Sequence, residues 1–284
     1  MEKKTSELPI EDSIKDFFLR KLYSPYFIVG IIMIFLFILI SIVPQIFTVY
    51  TYAEAFQIQA GAWNPPSSAH PLGQTHLGFD VAGAIVYTIP ISLLLGCGAV
   101  FIGLGGGILF GYLAGRFNKI VDNIIMAGLV SFYILPVIII ILFQIAIFGT
   151  ISYPGVMIVT FGAILTPIFT RVIADEVARN LGLKSVFKSV LPYIPLYLGI
   201  AILVSEAVGF LGFTPSQIRT LGYLINIARP NLYSAPWAGL FPGLTIFGMV
   251  LSLLLLYIGL QDHGPAGKPI FKIRRSKDRE ESIE

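Results

Sequence analysis

The sequence predicts an all-α protein whose helices cross a membrane six times. Of its 284 residues, 56% are hydrophobic and only 12% are charged, whereas a soluble domain usually carries about 25% charged residues to keep its surface wetted. The stretches that would cross are continuously apolar, which excludes a membrane β-barrel, because barrel strands alternate apolar and polar residues. Six of them have about the 20 residues that a helix needs to cross the hydrocarbon layer: 26–49, 86–112, 124–148, 156–173, 190–211 and 240–260.

The composition also excludes several classes of function. The net charge is only +3, so the chain has no strong overall field that would attract nucleic acid or another polyanion. The low charged fraction excludes an ordinary soluble enzyme and a disordered chain. The single cysteine, Cys97, lies in an apolar stretch and is interpreted as a small packed hydrophobe. We therefore expect a multi-pass protein of the cell membrane with the lipid bilayer as its surroundings.

The segment 1–25 precedes the first apolar stretch and is rich in polar residues. Its apolar residues recur at helical spacing, with charged residues on the opposite side, which favours a short amphipathic helix along the membrane surface. The alternative is a frayed polar tail with incidental apolar residues. The apolar positions are Ile10, Ile14, Phe17 and Phe18, and the charged ones are Asp12, Lys15, Asp16 and Arg20.

Lysine and arginine are distributed unevenly among the connecting segments. All but Arg219 and Arg229 lie before the first stretch, in alternate connections, or in the C-terminal tail. Because cytoplasmic segments are enriched in these residues, both termini are predicted to be cytoplasmic. The predicted organisation is a transmembrane domain 26–262 with outer loops 50–85 and 214–236, a cytoplasmic loop 171–189, and a cytoplasmic tail 263–284. A short helix over the outer mouth is expected within 214–236, and kinks are expected at the prolines Pro44, Pro90, Pro136, Pro167 and Pro195.

Four glycines recur at every fourth position in the second stretch, and this spacing places bare backbone along one face of a helix. Small residues at this spacing let two membrane helices approach closely. We therefore predict a packing seam against another helix or against a sister subunit. The alternative is that glycine is simply common in membrane helices. The four residues are Gly103, Gly107, Gly111 and Gly115.

Glu206 is the only acidic residue well inside a predicted span. A charge in hydrocarbon is expensive, so such residues face a protein interior or water and are often functional. One interpretation is a residue of the translocation pathway or its gate. The other is a carboxyl buried against a neighbouring helix, where it is hydrogen-bonded. The residue alone does not decide between them.

The segment 171–189 is long enough to form its own structure. Residues 174–181 are compatible with a helix, Gly182 is a plausible C-terminal stop, and Val186, Phe187 and Val190 restart an apolar pattern. A helix–turn–helix lying across the cytoplasmic face would dock in a groove on a soluble partner. By composition alone, an ordinary solvated loop is the stronger interpretation.

The motifs of several enzyme classes are missing. The sequence has no GxxxxGK[ST] phosphate loop and no HExxH or GxSxG motif. The histidines His70 and His76 lie in one predicted outer segment and His263 lies in the opposite tail, too far apart for a metal site. We therefore predict no catalytic residues, no metal and no cofactor, and any ATP that drives transport would be hydrolysed by another subunit.

Four motifs resemble those of one known family. HPLGQTHLGFDV at 70–81 is similar to the HPLGTDxLGRDV signature of the inner-membrane permease subunits of oligopeptide/dipeptide-type ABC importers, the "C" subunit of the permease pair. ISLLLG at 91–96 with GYLAG at 111–115 resembles the second helix of that family, and Asp122 follows at the expected place. SEAVGFLG at 205–212 resembles AEAALSFLG, and APWAGLFPGLT at 235–245 resembles the start of the last helix.

The resemblance implies the type I ABC importer permease fold, with six transmembrane helices. It also implies a heterodimer with a homologous permease, two cytoplasmic ATP-binding subunits, and an extracytoplasmic solute-binding protein that delivers peptides or a related solute. The segment 171–189 would then be the loop that couples to the ATPases. Its matching residues are Glu176, Ala178, Arg179, Gly182 and Lys184.

The sequence departs from the family pattern in three ways. Gly182 lies closer to Pro192 than is usual, so a shortened coupling helix is expected. Phe79 stands where the family usually has arginine, and the Arg/Asp pair expected after Met126 is missing. The alternatives to an importer permease are an autonomous ion-coupled secondary transporter or channel and, with little in its favour, a membrane-embedded enzyme. Ion-driven flux by this chain alone would distinguish the first of these.

Overall fold

The computed structural model describes residues 21–22, 24–58, 62–117, 119–131, 137–148, 153–179, 183–215 and 218–261. The described residues form α-helices joined by turns, which confirms the all-α class. The residues of the predicted N-terminal amphipathic helix and the tail 263–284 lie outside this part of the chain. The helices are α1 Pro25–Ile42, α2 Tyr52–Ala55, α3 Val81–Arg116, α4 Lys119–Val130, α5 Val137–Phe148, α6 Tyr153–Ala178, α7 Leu183–Val190, α8 Tyr193–Phe210, α9 Leu221–Ala228 and α10 Trp237–Leu260.

Five helical segments of the described residues are long and apolar enough to cross a membrane: α1, α3, α6, the segment Ser185–Phe210 that includes α8, and α10. The predicted third span, 124–148, falls on α4 and α5, which have 12 residues each. Residues 132–136, between these two helices, lie outside the described part. A sixth crossing therefore stays a prediction.

Two helices have ends that differ from those of the predicted spans, and local chemistry explains both. The first span was predicted to reach residue 49, but α1 ends at Ile42 because Pro44 cannot continue the backbone hydrogen bonds of the helix. The second was predicted to begin at 86, but α3 begins at Val81, where the Asp80 carboxylate accepts a 2.6 Å hydrogen bond from the Gly83 N–H. A side chain that caps the first turn in this way starts a helix.

Helices α3 and α6 form the centre of the protein, and α1, α8 and α9 surround α10. The largest fully buried side chains include Met157 and Phe169 of α6 and Met249 and Leu253 of α10. Many large apolar side chains on the outside of the bundle are exposed, such as Phe101, which is 80% exposed. An exposed apolar surface of this extent is typical of helices surrounded by lipid or by another membrane subunit.

Candidate functional site

The four regularly spaced glycines of α3 lie against α6 of the same chain. A methyl group at Gly107 would overlap Phe169, and methyl groups at the other three positions would meet α6 at less than 3.0 Å. The seam therefore lies within this subunit rather than between sister subunits. Besides Gly107 with Phe169, the facing pairs of the seam are Gly103 with Leu165, Gly111 with Ile173 and Gly115 with Val177.

Glu206 lies in α8 and is only 2% exposed. The Ser92 hydroxyl of α3 donates a 2.5 Å hydrogen bond to its Oε1. The Gly222 N–H of α9 donates a 2.5 Å hydrogen bond to its Oε2. The carboxyl group therefore joins three helices, and in this chain it is enclosed by protein rather than lining an open surface. Of the two predicted interpretations, the contacts fit a carboxyl buried against neighbouring helices.

Helix α9 is held at its first turn by Glu206 and Thr220. The first N–H groups of a helix have no partner within the helix. Here the Gly222 N–H donates to Glu206, and the Tyr223 N–H donates to the Thr220 hydroxyl at 3.2 Å. A methyl group at Gly222 would overlap the carbonyl oxygen of Glu206, so the approach of α9 to α8 requires glycine at this position.

The motif at 70–81 forms a compact turn that leads into α3. Gly73 and Gly78 have φ angles of +77° and +76°, a backbone region that favours glycine. The His70 imidazole Nδ1 lies 3.0 Å from the Asp80 carboxylate, which also caps α3. The Gln74 side-chain amide donates to the Gly78 carbonyl at 2.9 Å. The motif therefore encodes a rigid turn and a helix start.

Two of the motifs that are distant in sequence meet in the structure. The Trp237 indole Nε1 donates a hydrogen bond to the Gln74 backbone carbonyl at 3.3 Å. A methyl group at Gly73 would lie 2.6 Å from the Trp237 ring. The start of α10 is thus fixed against the turn that starts α3, a contact that sequence reasoning missed because nothing in either motif indicates the other.

In the predicted loop 171–189, the helix expected at 174–181 is present as far as Ala178, but as the end of α6, which continues into it without interruption. Its first polar turns extend the preceding span rather than forming a separate helix. Arg179 follows in an exposed turn, and Gly182 lies outside the described residues. Lys184 is part of α7, although its side chain is not described. The second predicted helix is present as α7.

Glu176 connects the two arms of this elbow, which we define as Arg171–Val190. The Ser185 hydroxyl donates to Glu176 Oε2 at 2.9 Å, and the Ser189 hydroxyl donates to Oε1 at 2.8 Å. The Val190 side chain is buried against the α3–α6 core, whereas Phe187 is 45% exposed. Glu176 therefore holds α7 in a defined orientation at the end of α6. The Phe187 ring lies on the exposed side of α7.

Arg171 ties α4 to the first turns of the elbow. Its guanidinium lies 3.2 Å from the Asp122 carboxylate and 3.4 Å from that of Asp175. Sequence reasoning used Arg171 only as a topological marker. It also missed the interaction of Lys21, whose Nζ donates a 2.9 Å hydrogen bond to the Gln261 carbonyl at the end of α10. A cation at a helix C-terminus is favoured by the helix dipole.

Comparison with known proteins gives a consistent group of relatives, although no family profile matches the chain. The chain is 31% identical over 258 residues to the dipeptide transport system permease protein DppC of Alkalihalophilus pseudofirmus, covering 83% of this chain and 84% of the relative. It is 30% identical over 220 residues to the glutathione transport system permease protein GsiD of Pectobacterium atrosepticum, covering 69% and 72%. It is also 30% identical over 212 residues to the di/tripeptide transport system permease protein DppC of Pseudomonas aeruginosa, covering 67% and 70%.

Proposed function

The chain belongs to the permease subunits of peptide-type ABC importers, and we propose that it pairs with a homologous permease to form the pathway for a short peptide. The relatives are named for dipeptides, di- and tripeptides, and glutathione. Their shared feature is a short peptide chain, which is the cargo class we propose here. The subunit itself acts by translocation rather than by catalysis.

The proposed complex contains two cytoplasmic ATP-binding subunits and an extracytoplasmic solute-binding protein. The chain would cross the membrane six times with both termini in the cytoplasm. The distribution of lysine and arginine supports this orientation, because Arg179, Lys184 and Lys188 all belong to the elbow, whereas Arg219 and Arg229 flank α9. The elbow would then face the ATPases, and α9 would lie at the outer mouth.

The observation that carries the proposal is the pair of hydrogen bonds that Glu176 accepts from Ser185 and Ser189. A coupling element has to transmit force, so its two arms have to move together. The hydrogen bonds join α7 to α6, and α6 is packed against α3 along the glycine seam. A displacement of α7 by an ATPase would therefore be passed to the two central helices instead of being absorbed in a flexible loop.

Glu176→Ala in the assembled complex tests this coupling. The substitution removes both acceptors and releases α7 from α6, so we expect cargo-stimulated ATP hydrolysis to fall several-fold while the subunits still copurify. Asp175→Ala is the matched control, because the neighbouring Asp175 is exposed and contacts only Arg171 among its charged neighbours in the described residues. Equal stimulation in the two variants would contradict the proposed role of the elbow.

A further inference from the structure

Arg219 lies between α8 and α9, and its guanidinium is held against two buried aromatic rings. Its Cζ lies 4.2 Å from the centroid of the Phe56 ring and 5.1 Å from that of the Phe79 ring. The two rings pack edge to face, with centroids 5.6 Å apart. A cation over an aromatic face is attracted by the quadrupole of the ring, so the guanidinium has a defined position before any partner arrives.

The Arg219 guanidinium has no acceptor among the residues that the structure describes. Its Nε is buried without a hydrogen-bond partner, and the Arg219 side chain as a whole is half-buried. Arg171, by contrast, contacts two carboxylates. A guanidinium presents its N–H donors as a planar fork that matches a carboxylate. Arg219 is therefore oriented for a carboxylate that this chain does not supply in the described residues.

We propose that Arg219 binds a carboxylate that approaches the complex from the extracytoplasmic side. This inference depends on the proposed function, which assigns the segment between α8 and α9 to that side. Phe56 and Phe79 hold the guanidinium in place, and the Nη atoms donate to the incoming carboxylate. Two sources supply this group: an acidic side chain of the solute-binding protein, and the terminal carboxylate of the peptide cargo.

The test uses the whole complex in lipid nanodiscs and in proteoliposomes, with trialanine as the cargo. Arg219→Gln removes the cation, and Arg219→Lys keeps the charge but loses the planar fork. Arg229→Gln is the matched control, because Arg229 flanks the other end of α9, is exposed, and lies 6.0 Å from the Phe210 ring. Two quantities are measured: the Kd of the binding protein for the complex, and the KM for ATP-dependent uptake.

We expect both Arg219 variants to raise either the Kd or the KM by about tenfold, the scale of one charge-assisted hydrogen bond. Arg229→Gln should leave both constants unchanged. Weaker docking of the binding protein with and without cargo assigns the carboxylate to the binding protein. A raised KM with unchanged docking assigns it to the cargo. If Arg219→Gln matches Arg229→Gln in both measurements, the inference is overturned.

A measurement on the unaltered complex guards against misfolding of the variants. Phenylglyoxal modifies exposed guanidinium groups, and mass spectrometry reports the extent at each arginine. We expect the cargo-loaded binding protein to protect Arg219, with Arg229 as the internal reference, and equal modification of Arg219 with and without it would overturn the inference. Absence of ATP-dependent uptake by the wild-type complex would instead overturn the proposed function, so the two failures are distinguishable.

Discussion

Replacing Glu206 with alanine removes the acceptor that joins α3, α8 and α9. The Ser92 hydroxyl and the Gly222 N–H each lie 2.5 Å from a carboxyl oxygen, and both groups are buried. A buried donor that loses its partner costs about 1–3 kcal/mol. Ser92 retains a second acceptor, the Thr88 carbonyl at 3.3 Å, so the main loss falls on the α9 backbone. We expect the variant to lose about 3 kcal/mol of stability, at the upper end of that range.

The expected effect is local to α9, which hydrogen exchange resolves. A cost of about 3 kcal/mol on the first turn of α9 corresponds to roughly 100-fold faster exchange of its amides if the helix opens locally. The measurement is hydrogen exchange with mass spectrometry on the purified complex, together with its thermal unfolding midpoint. Amides in α10 serve as the reference, because no hydrogen bond joins Glu206 to the described residues of α10, so α10 should keep its protection.

Glu206→Gln is the matched control for this prediction. The glutamine side-chain oxygen still accepts from the Gly222 N–H, and its amide N–H donates to the Ser92 oxygen. The variant therefore keeps one hydrogen bond to α9 and one to α3. We expect α9 to exchange within about tenfold of the wild-type rate, a difference of about 1.4 kcal/mol or less. If Glu206→Ala leaves α9 as protected as Glu206→Gln does, the carboxyl group does not hold α9 and the interpretation is wrong.

Three further predictions concern the glycine seam and the compact turn at 70–81 that leads into α3. Gly107→Leu should lower the thermal unfolding midpoint, at a cost of about 1–3 kcal/mol or more, because its side chain would enter Phe169. Gly105→Leu is the control, because a Cβ at Gly105 would meet no atom within 4 Å beyond its own helix backbone, and it should not lower the midpoint. Equal losses in the two variants would contradict the seam. Asp80→Ala should cost about 1 kcal/mol or more, since the residue caps α3 and contacts His70; an unchanged midpoint would show that the cap contributes nothing. Burial lowers the pKa of His76, so the unfolded chain binds a proton at this residue more readily than the folded one. The free energy of unfolding should therefore be highest above the ordinary pKa of about 6.5 and fall as the pH drops below it. His76→Gln should reduce this acid-side loss in melts between pH 5 and 8, and an identical pH profile would count against it.

The membrane class and the family could be recognised from the sequence because both depend on local composition. A continuous apolar stretch enters lipid whatever its neighbours are, and α1, α3, α6, α8 and α10 fall where such stretches were predicted. The motif at 70–81 is compact in sequence and could be recognised without a fold. The sixth crossing at 124–148 is a prediction that the described residues do not test.

The ends of helices were less predictable, because hydropathy does not register capping and backbone geometry. Pro44 ends α1 although the apolar residues continue past it, and Asp80 starts α3 although it is polar. The continuation of α6 to Ala178 was missed for a similar reason. Residues 174–181 were compatible with a helix, but their polar composition suggested a segment separate from the apolar one before it. A helix tolerates polar side chains once it continues from a packed helix.

The sequence by itself determined that this is an apolar, helical permease with four regularly spaced glycines in its second apolar stretch and one acidic residue well inside a span. Only the tertiary structure decided that the seam faces α6, that Glu206 holds α9, that Trp237 closes on the turn at Gly73, and that Arg219 stacks on Phe56 and Phe79. The free energy of placing a segment in lipid depends mainly on the length and composition of that segment. A hydrogen bond or a cation–π contact depends on the positions of two groups that lie far apart along the chain, and only the packing of the helices brings those groups together.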